Sequence, residues 1–495
     1  MHRQHGLQAS FSKEDDTDMK SIGELFASPL QVINLGLETF AESIRVQGAP
    51  VQHVDWRPPA GGNPRIIHLL DSLNVPSIQK QIEDANHEAV KRIIEAQPVL
   101  VDVRQARDVI PGMHRELILH AGPPLAWEKM CGPVRGAVMG ALMYEGLARD
   151  IKEAEKLARS GNIAFDPCHH HRTVGPMAGV VSSSMYVYVV KNETYDNEAY
   201  CTLNEGLGKV LRFGAYGTDV IERLTWMEKD LGPALSMAIK ERGRRDGGIN
   251  IKDITARALM MGDECHNRNV AATSLFIKTL IPYLLESDLK RETVQEVIAF
   301  LTANDHTFLN LSMAACKAST DPIVGIRNSS IVSTMARNGT ELGIRVAGLG
   351  DAWYTAPAGM PKGLYFAGFS EQDSCLDLGD STVSEVAGIG GFAMAAAPAI
   401  VKFVGGAAAD ALRYTHEMYE ICFSEHRNYL IPALDFRGTP VGMDIRFINE
   451  RSILPFINTG IAHKNPGIGQ IGAGILRAPR ECFAQALEDF SDLFT

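Results

Sequence analysis

Between about Ile251 and Lys317 the chain carries little glycine and many Leu, Ile and Ala. On both sides of that stretch, short β-branched segments alternate with glycine-rich loops. One regular βα repeat cannot accommodate such a change of texture. It predicts an α+β, multidomain chain: two mixed α/β domains, at 99–250 and 321–495, with an intervening helical subdomain at 251–320. At 495 residues the chain is also too long for one core. Ahead of these lies an N-terminal α/β unit, 22–98. In it QVINLGL reads as a strand, ETFAESIRVQG as a helix with a glycine stop, and VQHVDW as a second strand, a small βαβ-like unit. The loop RPPAGGNP follows, then an amphipathic helix from Ser77 to Gln97, and VLVDV opens the next strand. Further strands are expected at Met185–Val190 and in GIRVAGLG, GLYFAGF and GMDIRFI. Residues 1–21 read as a disordered polar lead without the apolar stretch of a secretory signal.

The longest uncharged apolar-rich run, between Glu385 and Lys402, is shorter than a membrane span and holds several Gly and a Pro. It predicts a glycine-rich turn and a buried helix. The eight cysteines are scattered without a CxxC pair, which reads as free thiols in a reducing compartment. A cytoplasmic protein with no membrane partner is the expectation. Net charge is -11, from 48 basic and 59 acidic residues, with no dense Lys/Arg tract, so a nucleic-acid backbone would be repelled. A small anion needs only two or three local cations and stays open.

Glycine gathers at 348/350, 388/390/391 and 467/469/472/474. Such turns let a ligand approach backbone N–H groups, so Gly390, Gly391, Gly469 and Gly472 are candidate anion donors. GIGQIG (467–472) has the form GxGxxG, yet Pro466 precedes it and the chain ends before a βαβ unit closes. Tight turns between packed elements, or a phosphate- or carboxylate-binding loop, fit better than a dinucleotide site. Cys168-His169-His170-His171 invites a metal reading. Consecutive residues point apart, so only His169 and His171 with a distant carboxylate would serve, as weak candidates beside a polar loop or a general acid. In MGDECHNRN (261–269), Asp263, His266 and Asn267 would share one helix face as a buried network or a site wall. His120 and His463 each sit among small residues in a turn, as does Lys464. Arg337, beside Asn338, and Arg345 offer forks for carboxylate or phosphate.

Several long strings together resemble the AllG/YlbE/YahG family. They are HAGPPLAWEKMCGPVRGA (120–137), FDPCHHHRTVGPMAG (165–179), LNEGLGKVLRFGAYGTDV (203–220), MGDECHNRN, TMARNG (334–339), GIRVAGLGDAWYTAP (343–357), GDSTVSEVAGIGGFAMAAAPA (379–399) and INTGIAHKNPGIGQIGAG (457–474). The likeness covers roughly 22–485, and the front section through VQHVDWRPPAGGN is most similar to the YahG-like branch. The resemblance implies a carbamoyltransferase subunit, a transferase of one-carbon groups at the end of anaerobic allantoin breakdown. The reaction converts oxalurate and phosphate to oxamate and carbamoyl phosphate without a cofactor. The implied partners are an FdrA-like subunit of acyl-CoA-synthetase type, a third small subunit and further copies of the chain. The phosphate loop Ser-Thr-Arg-Thr and the His-Pro-x-Gln signature of the aspartate and ornithine carbamoyltransferases are missing, so any carbamoyl transfer here uses a different scaffold. The alternatives are another acyl or CoA-linked transferase subunit and a non-catalytic assembly subunit.

On that reading phosphate attacks the ureido carbonyl, and N–H groups of 467–474 or 388–391 stabilise the oxyanion. Arg337 or Arg345 holds the carboxylate, with Asn338, Asp263 and His266 also on the substrate. His120 or His463 protonates the leaving nitrogen, and Lys464 balances the phosphate. This requires the turns at 120, 337 and 463–474 to meet around one hollow.

Overall fold

The front section alternates as expected: strand Val32–Leu35, helix Glu38–Val46 and strand Val51–Val54, the two strands paired in parallel. In this computed structural model the described residues are 31–54, 56 and 58–494, so the lead expected at 1–21 lies outside them. Contacts divide the chain into two compact units, Met1–Pro58 and Pro59–Thr495. The second carries the candidate chemistry.

Within that second unit the strands form five small sheets, mostly antiparallel, with helices packed between them. The result is a mixed α+β architecture with no barrel or solenoid among the described residues. The helix Pro76–Glu95 buries Ile82, Ala89, Val90 and Ile93, the amphipathic spacing read from the sequence. Strand Pro98–Gln105 runs at the middle of a sheet ordered Asn197–Thr202, Tyr186–Asn192, Pro98–Gln105, Ile249–Asn250. The glycine-poor stretch forms the helices Ile251–Met260, Val270–Leu285, Arg291–Ala303 and Thr307–Thr320. The last is buried along its whole length. Its Phe308, Leu311 and Met313 share one apolar core with Leu100, Tyr188 and Val190 of the sheet.

Three local expectations fail for identifiable reasons. GMDIRFI is not one strand: Arg437–Met443 ends at Asp444, whose carboxylate accepts the Arg446 N–H and starts the helix Ile445–Arg451. The run 385–402 forms a string of short turns, not a regular helix; Gly388 and Gly390 lie at φ 86° and 64° and interrupt it. GIGQIG is not an open anion loop, because Gln470–Arg477 is the central strand of a three-stranded sheet between Lys362–Tyr365 and Phe456–Ala462. Its glycines serve close packing: a Cβ on Gly472 would stand 2.3 Å from the Leu364 carbonyl oxygen, and one on Gly469 2.6 Å from that of Gly208. All eight cysteines are free thiols. No helix among the described residues is long and apolar enough to cross a membrane.

Candidate functional site

The segment 377–385 reads DLGDSTVSE, and its three carboxylates each organise a different neighbour. Asp377 and Arg337, both fully buried, form an ion pair with Nε–Oδ2 2.7 Å and Nη2–Oδ1 3.1 Å. The remaining guanidinium donors go to the Gly379 carbonyl, Ser381 Oγ, Thr382 Oγ1 and Thr459 Oγ1. Asp380 accepts the N–H groups of Gly122 (2.8 Å) and Gly175 (3.0 Å), tying two distant loops together. Burial pushes its carboxyl up to about 7 despite those bonds. Glu385 Oε1 lies 2.9 Å from His266 Nδ1 and accepts the Gly391 N–H at 2.8 Å.

Gly390 explains itself here. A Cβ at that position would lie 2.5 Å from Glu385 Oε1 and 3.1 Å from His266 Nδ1, and the backbone is left-handed. The glycines at 390 and 391 therefore cradle a histidine–carboxylate pair. Their N–H groups are already used, by the Glu264 carbonyl and the Glu385 carboxylate. Burial lowers the pKa of His266, but the Glu385 charge and hydrogen bond outweigh it, and the group ends above its ordinary value. Beside it, burial pushes Glu264 up to about 7 while its carboxylate accepts the N–H groups of His266 and Arg268.

His266 and Asn267 face a small, narrow hollow. Its other polar lining is Arg212, His306, Ser381 and Gln470, with Met177, Phe213 and Gly460 among the apolar lining. Burial drives His306 down to about 3, so it is a neutral imidazole. Ser381 Oγ accepts from Arg337 Nη1, which leaves the hydroxyl proton for the hollow. Arg212 differs from Arg337 in kind. It is 6% exposed, its Nη2 donates to the Gly206 carbonyl, and its Nε has no partner. No carboxylate pairs with it among the described residues. Glu205 is near but spends both oxygens on the N–H groups of Leu211 and Arg212. Desolvation lowers the guanidinium to about 10, still a cation at neutral pH. Further buried polar atoms are unsatisfied nearby: Glu385 Oε2 and both side-chain amide atoms of Asn458, whose N–H approaches Glu385. Such orphans in a native fold call for a ligand or ordered water.

Of the residues singled out in the sequence, His266 and Asn267 line this hollow, with Gly390 and Gly391 behind His266. The 261–269 run is an irregular loop, not a helix, so Asp263 separates from His266. Asp263 Oδ2 accepts the Ala272 N–H in the first turn of Val270–Leu285. Arg337 has no donor left for a substrate. Asn338 closes a turn, accepting the N–H groups of Thr340 and Glu341. Arg345 pairs with Asp351 and lies over the Trp353 ring. His120 is buried with Nδ1 on the Ala121 carbonyl, and burial lowers its pKa. His463 accepts the Asn465 N–H, its ring against Phe369. The exposed Lys464 donates to the Gln372 carbonyl. None of these six lines the hollow. The turns at 120 and 337 pack on each other, with Asn338 Nδ2 donating to the Pro123 carbonyl, but neither borders this hollow, and of 463–474 Gln470 lines it.

The histidine cluster forms a short 3-10 turn, Cys168–His171. His171 has one ring nitrogen on Asp166 (2.8 Å) and the other on the Pro111 carbonyl (2.7 Å). His169 lies 3.6 Å from Asp380 on the opposite side of the turn. The two point to different partners, and no group of three or more ligating side chains is found among the described residues. Arg212, Ser381, His306, Glu385 and Gln470 were missed. Arg212 had a usable signal: a single guanidinium inside the apolar run Val210-Leu211-Arg212-Phe213 must find a partner or a ligand.

The chain is similar to known proteins over most of its length. A family model described as oxamate carbamoyltransferase subunit AllG matches residues 163–381, a span that includes Arg212, His266, Arg337 and Ser381. The chain is 47% identical over 463 residues to the uncharacterised protein YahG of Escherichia coli (strain K12), covering 94% of this chain and 97% of that protein. It is 46% identical over 413 residues to the oxamate carbamoyltransferase subunit AllG of the same organism, covering 83% of this chain and 98% of that one. A crystal structure of a conserved protein of unknown function from Enterococcus faecalis V583 superposes with a TM-score of 0.83 at 49% identity. It spans 85% of this chain and all of that one, 100%. Identity at this level over nearly the full length places the chain in the AllG/YahG family.

Proposed function

We propose that this chain is the substrate-binding subunit of an oxamate carbamoyltransferase-type enzyme, working with an FdrA-like partner and a third small subunit. Its reaction would be the phosphorolysis of oxalurate to oxamate and carbamoyl phosphate. The observation that carries this reading is the hollow at His266, where an unpaired buried guanidinium, Arg212, faces a histidine held by a carboxylate. In this mechanism Arg212 receives the oxamate carboxylate as a charge-assisted pair. A phosphate oxygen attacks the ureido carbonyl carbon, and the hydroxyl of Ser381, polarised by Arg337 behind it, donates to the developing oxyanion. The C–N bond to the oxamate nitrogen then breaks. That nitrogen is a poor leaving group and takes a proton from the His266 imidazolium, whose charge Glu385 stabilises. Arg337 acts here through Ser381, and no step needs a covalent nucleophile.

The test is carbamoyl phosphate formation in the complex reconstituted with its neighbouring subunits, alongside calorimetry of the full chain with oxamate. Arg212→Gln is expected to abolish measurable oxamate binding. His266→Gln is expected to keep binding and lower turnover at least tenfold, in the range of lost acid catalysis. Wild-type turnover in both variants would remove the hollow from the reaction.

A further inference from the structure

Arg212 and Pro176 belong to two hollows, not one. The second, also narrow, is not lined by His266 and is walled by Val180, Met185, Leu203, Leu224 and Met227. Its polar lining is Tyr144, Tyr186, Thr202, Glu205, Glu228 and Arg212. Tyr144 donates to Glu228 Oε2 at 2.9 Å, and Glu205 is occupied by backbone N–H groups as described.

The backbone around this hollow is unusual. The helical run from Thr218 to Asp246 passes through a π-helical turn at Met227–Leu231, and Met227 and Glu228 of that turn face the hollow. A π turn sacrifices hydrogen-bond geometry, and such turns are found frequently at functional sites. Directly after it, Gly232 lets the helix lie against the Tyr186 ring, where a Cβ would be 2.4 Å from ring carbon.

We infer that the second hollow receives an apolar side chain carried by the substrate. Oxalurate has no such group. The inference rests on the reading of Arg212 as the carboxylate site and extends it to a substrate class. A central carbon would sit at Arg212 with three arms: its carboxylate on the guanidinium, its ureido group toward His266 and its side chain among Leu224 and Met227. The compounds of that description are N-carbamoyl α-amino acids with aliphatic side chains. Arg212, more than nine-tenths buried, lining both hollows and with its Nε unpartnered, is the cation such a carboxylate would meet.

Calorimetry on the full chain compares N-carbamoylglycine with N-carbamoyl-leucine, in the wild type and in Leu224→Trp. The side chain buries about three to four carbons, so the leucine compound is expected to bind about 10- to 100-fold tighter. Leu224→Trp should erase that preference and leave N-carbamoylglycine affinity unchanged. Met227→Phe fills the same space from the other wall and decides the matter if Leu224→Trp does not fold. Equal affinity for the two compounds in the wild type, or a preference that survives both variants, overturns the inference. The two proposals fail separately. Absence of carbamoyl phosphate formation with a side-chain preference sensitive to Leu224→Trp overturns the reaction and supports the hollow. Active phosphorolysis of oxalurate without any such preference does the reverse.

Discussion

Arg337 spends its donors on Asp377 and four further acceptors, and replacing it with Met separates a structural guanidinium from a binding one. The substitution removes the partner of a carboxylate that is itself fully buried and leaves Asp377 with the Thr459 hydroxyl, 2.7 Å away, as its side-chain donor. It also strips a donor from the Gly379 carbonyl and the hydroxyls of Ser381 and Thr382. Breaking a buried pair by removing one member costs about 3–5 kcal/mol. A native domain holds about 5–15 kcal/mol in all, so the variant should fold with little to spare. Unfolding in urea, followed by fluorescence, reads this directly. With a slope of about 3 kcal/mol/M, the top of the small-protein range and a lower bound for a chain this long, the midpoint should fall by at most about 1–2 M. Arg337→Met combined with Asp377→Leu removes both charges and should recover a large part of the loss, because an apolar pair replaces an ion pair at small cost. A midpoint within about 0.3 M of the parent, with oxamate binding gone, would refute the assignment and return Arg337 to the substrate.

Three further outcomes follow from the same geometry. Gly390→Ala places a methyl against Glu385 and His266 at left-handed φ, so strain of about 1–2 kcal/mol and overpacking of about 1–3 kcal/mol should lower the urea midpoint and displace the pair. The pKa of His266 is raised on folding. The stabilisation it brings is therefore whole below the unfolded value, about 6.5, and is lost as pH rises through the folded value. Urea midpoints measured upward from pH 6 should show that fall, and Glu385→Gln should flatten it. Asp380, its pKa raised to about 7, keeps its proton in the folded chain where the unfolded chain has lost it. Stability should decline as pH rises from about 4 to 7 on its account, and Asp380→Ala, which frees the Gly122 and Gly175 loops, should remove that component and hasten proteolysis near them.

The parts of the fold written locally were legible. The βαβ at 32–54 follows from a strand pattern, a glycine stop and a second strand, and the 76–95 helix from its apolar spacing. Long-range pairing was not legible. Arg337 and Arg345 look like clamps in isolation, and what disarms Arg337 is Asp377, forty residues further on. The glycines of 467–474 look like an anion loop until strand Lys362–Tyr365 closes on them, because close backbone approach and ligand approach demand the same residue. His266 was singled out for a sound reason: a dense polar run between apolar helices must be neutralised or used, and it pairs with Glu385. Its partner Glu385 opened the apolar run 385–402 and was passed over as a boundary.

The contrast between two buried guanidiniums is what makes a function arguable here. Burying a charge is costly, and a fold recovers that cost by pairing. At Arg337 the recovery is complete, with a bidentate carboxylate and four further acceptors, so the residue is explained without a ligand. At Arg212 it is incomplete: one carbonyl on Nη2, nothing on Nε, and the nearest carboxylate turned toward backbone N–H groups. A chain selected for stability alone would let Glu205 swing onto that guanidinium. Glu205 instead fixes the Leu211–Phe213 turn that holds Arg212 between its two hollows. Its carboxylate fixes the backbone and offsets the Arg212 charge through space without a hydrogen bond to the guanidinium, which leaves room for the substrate carboxylate proposed above.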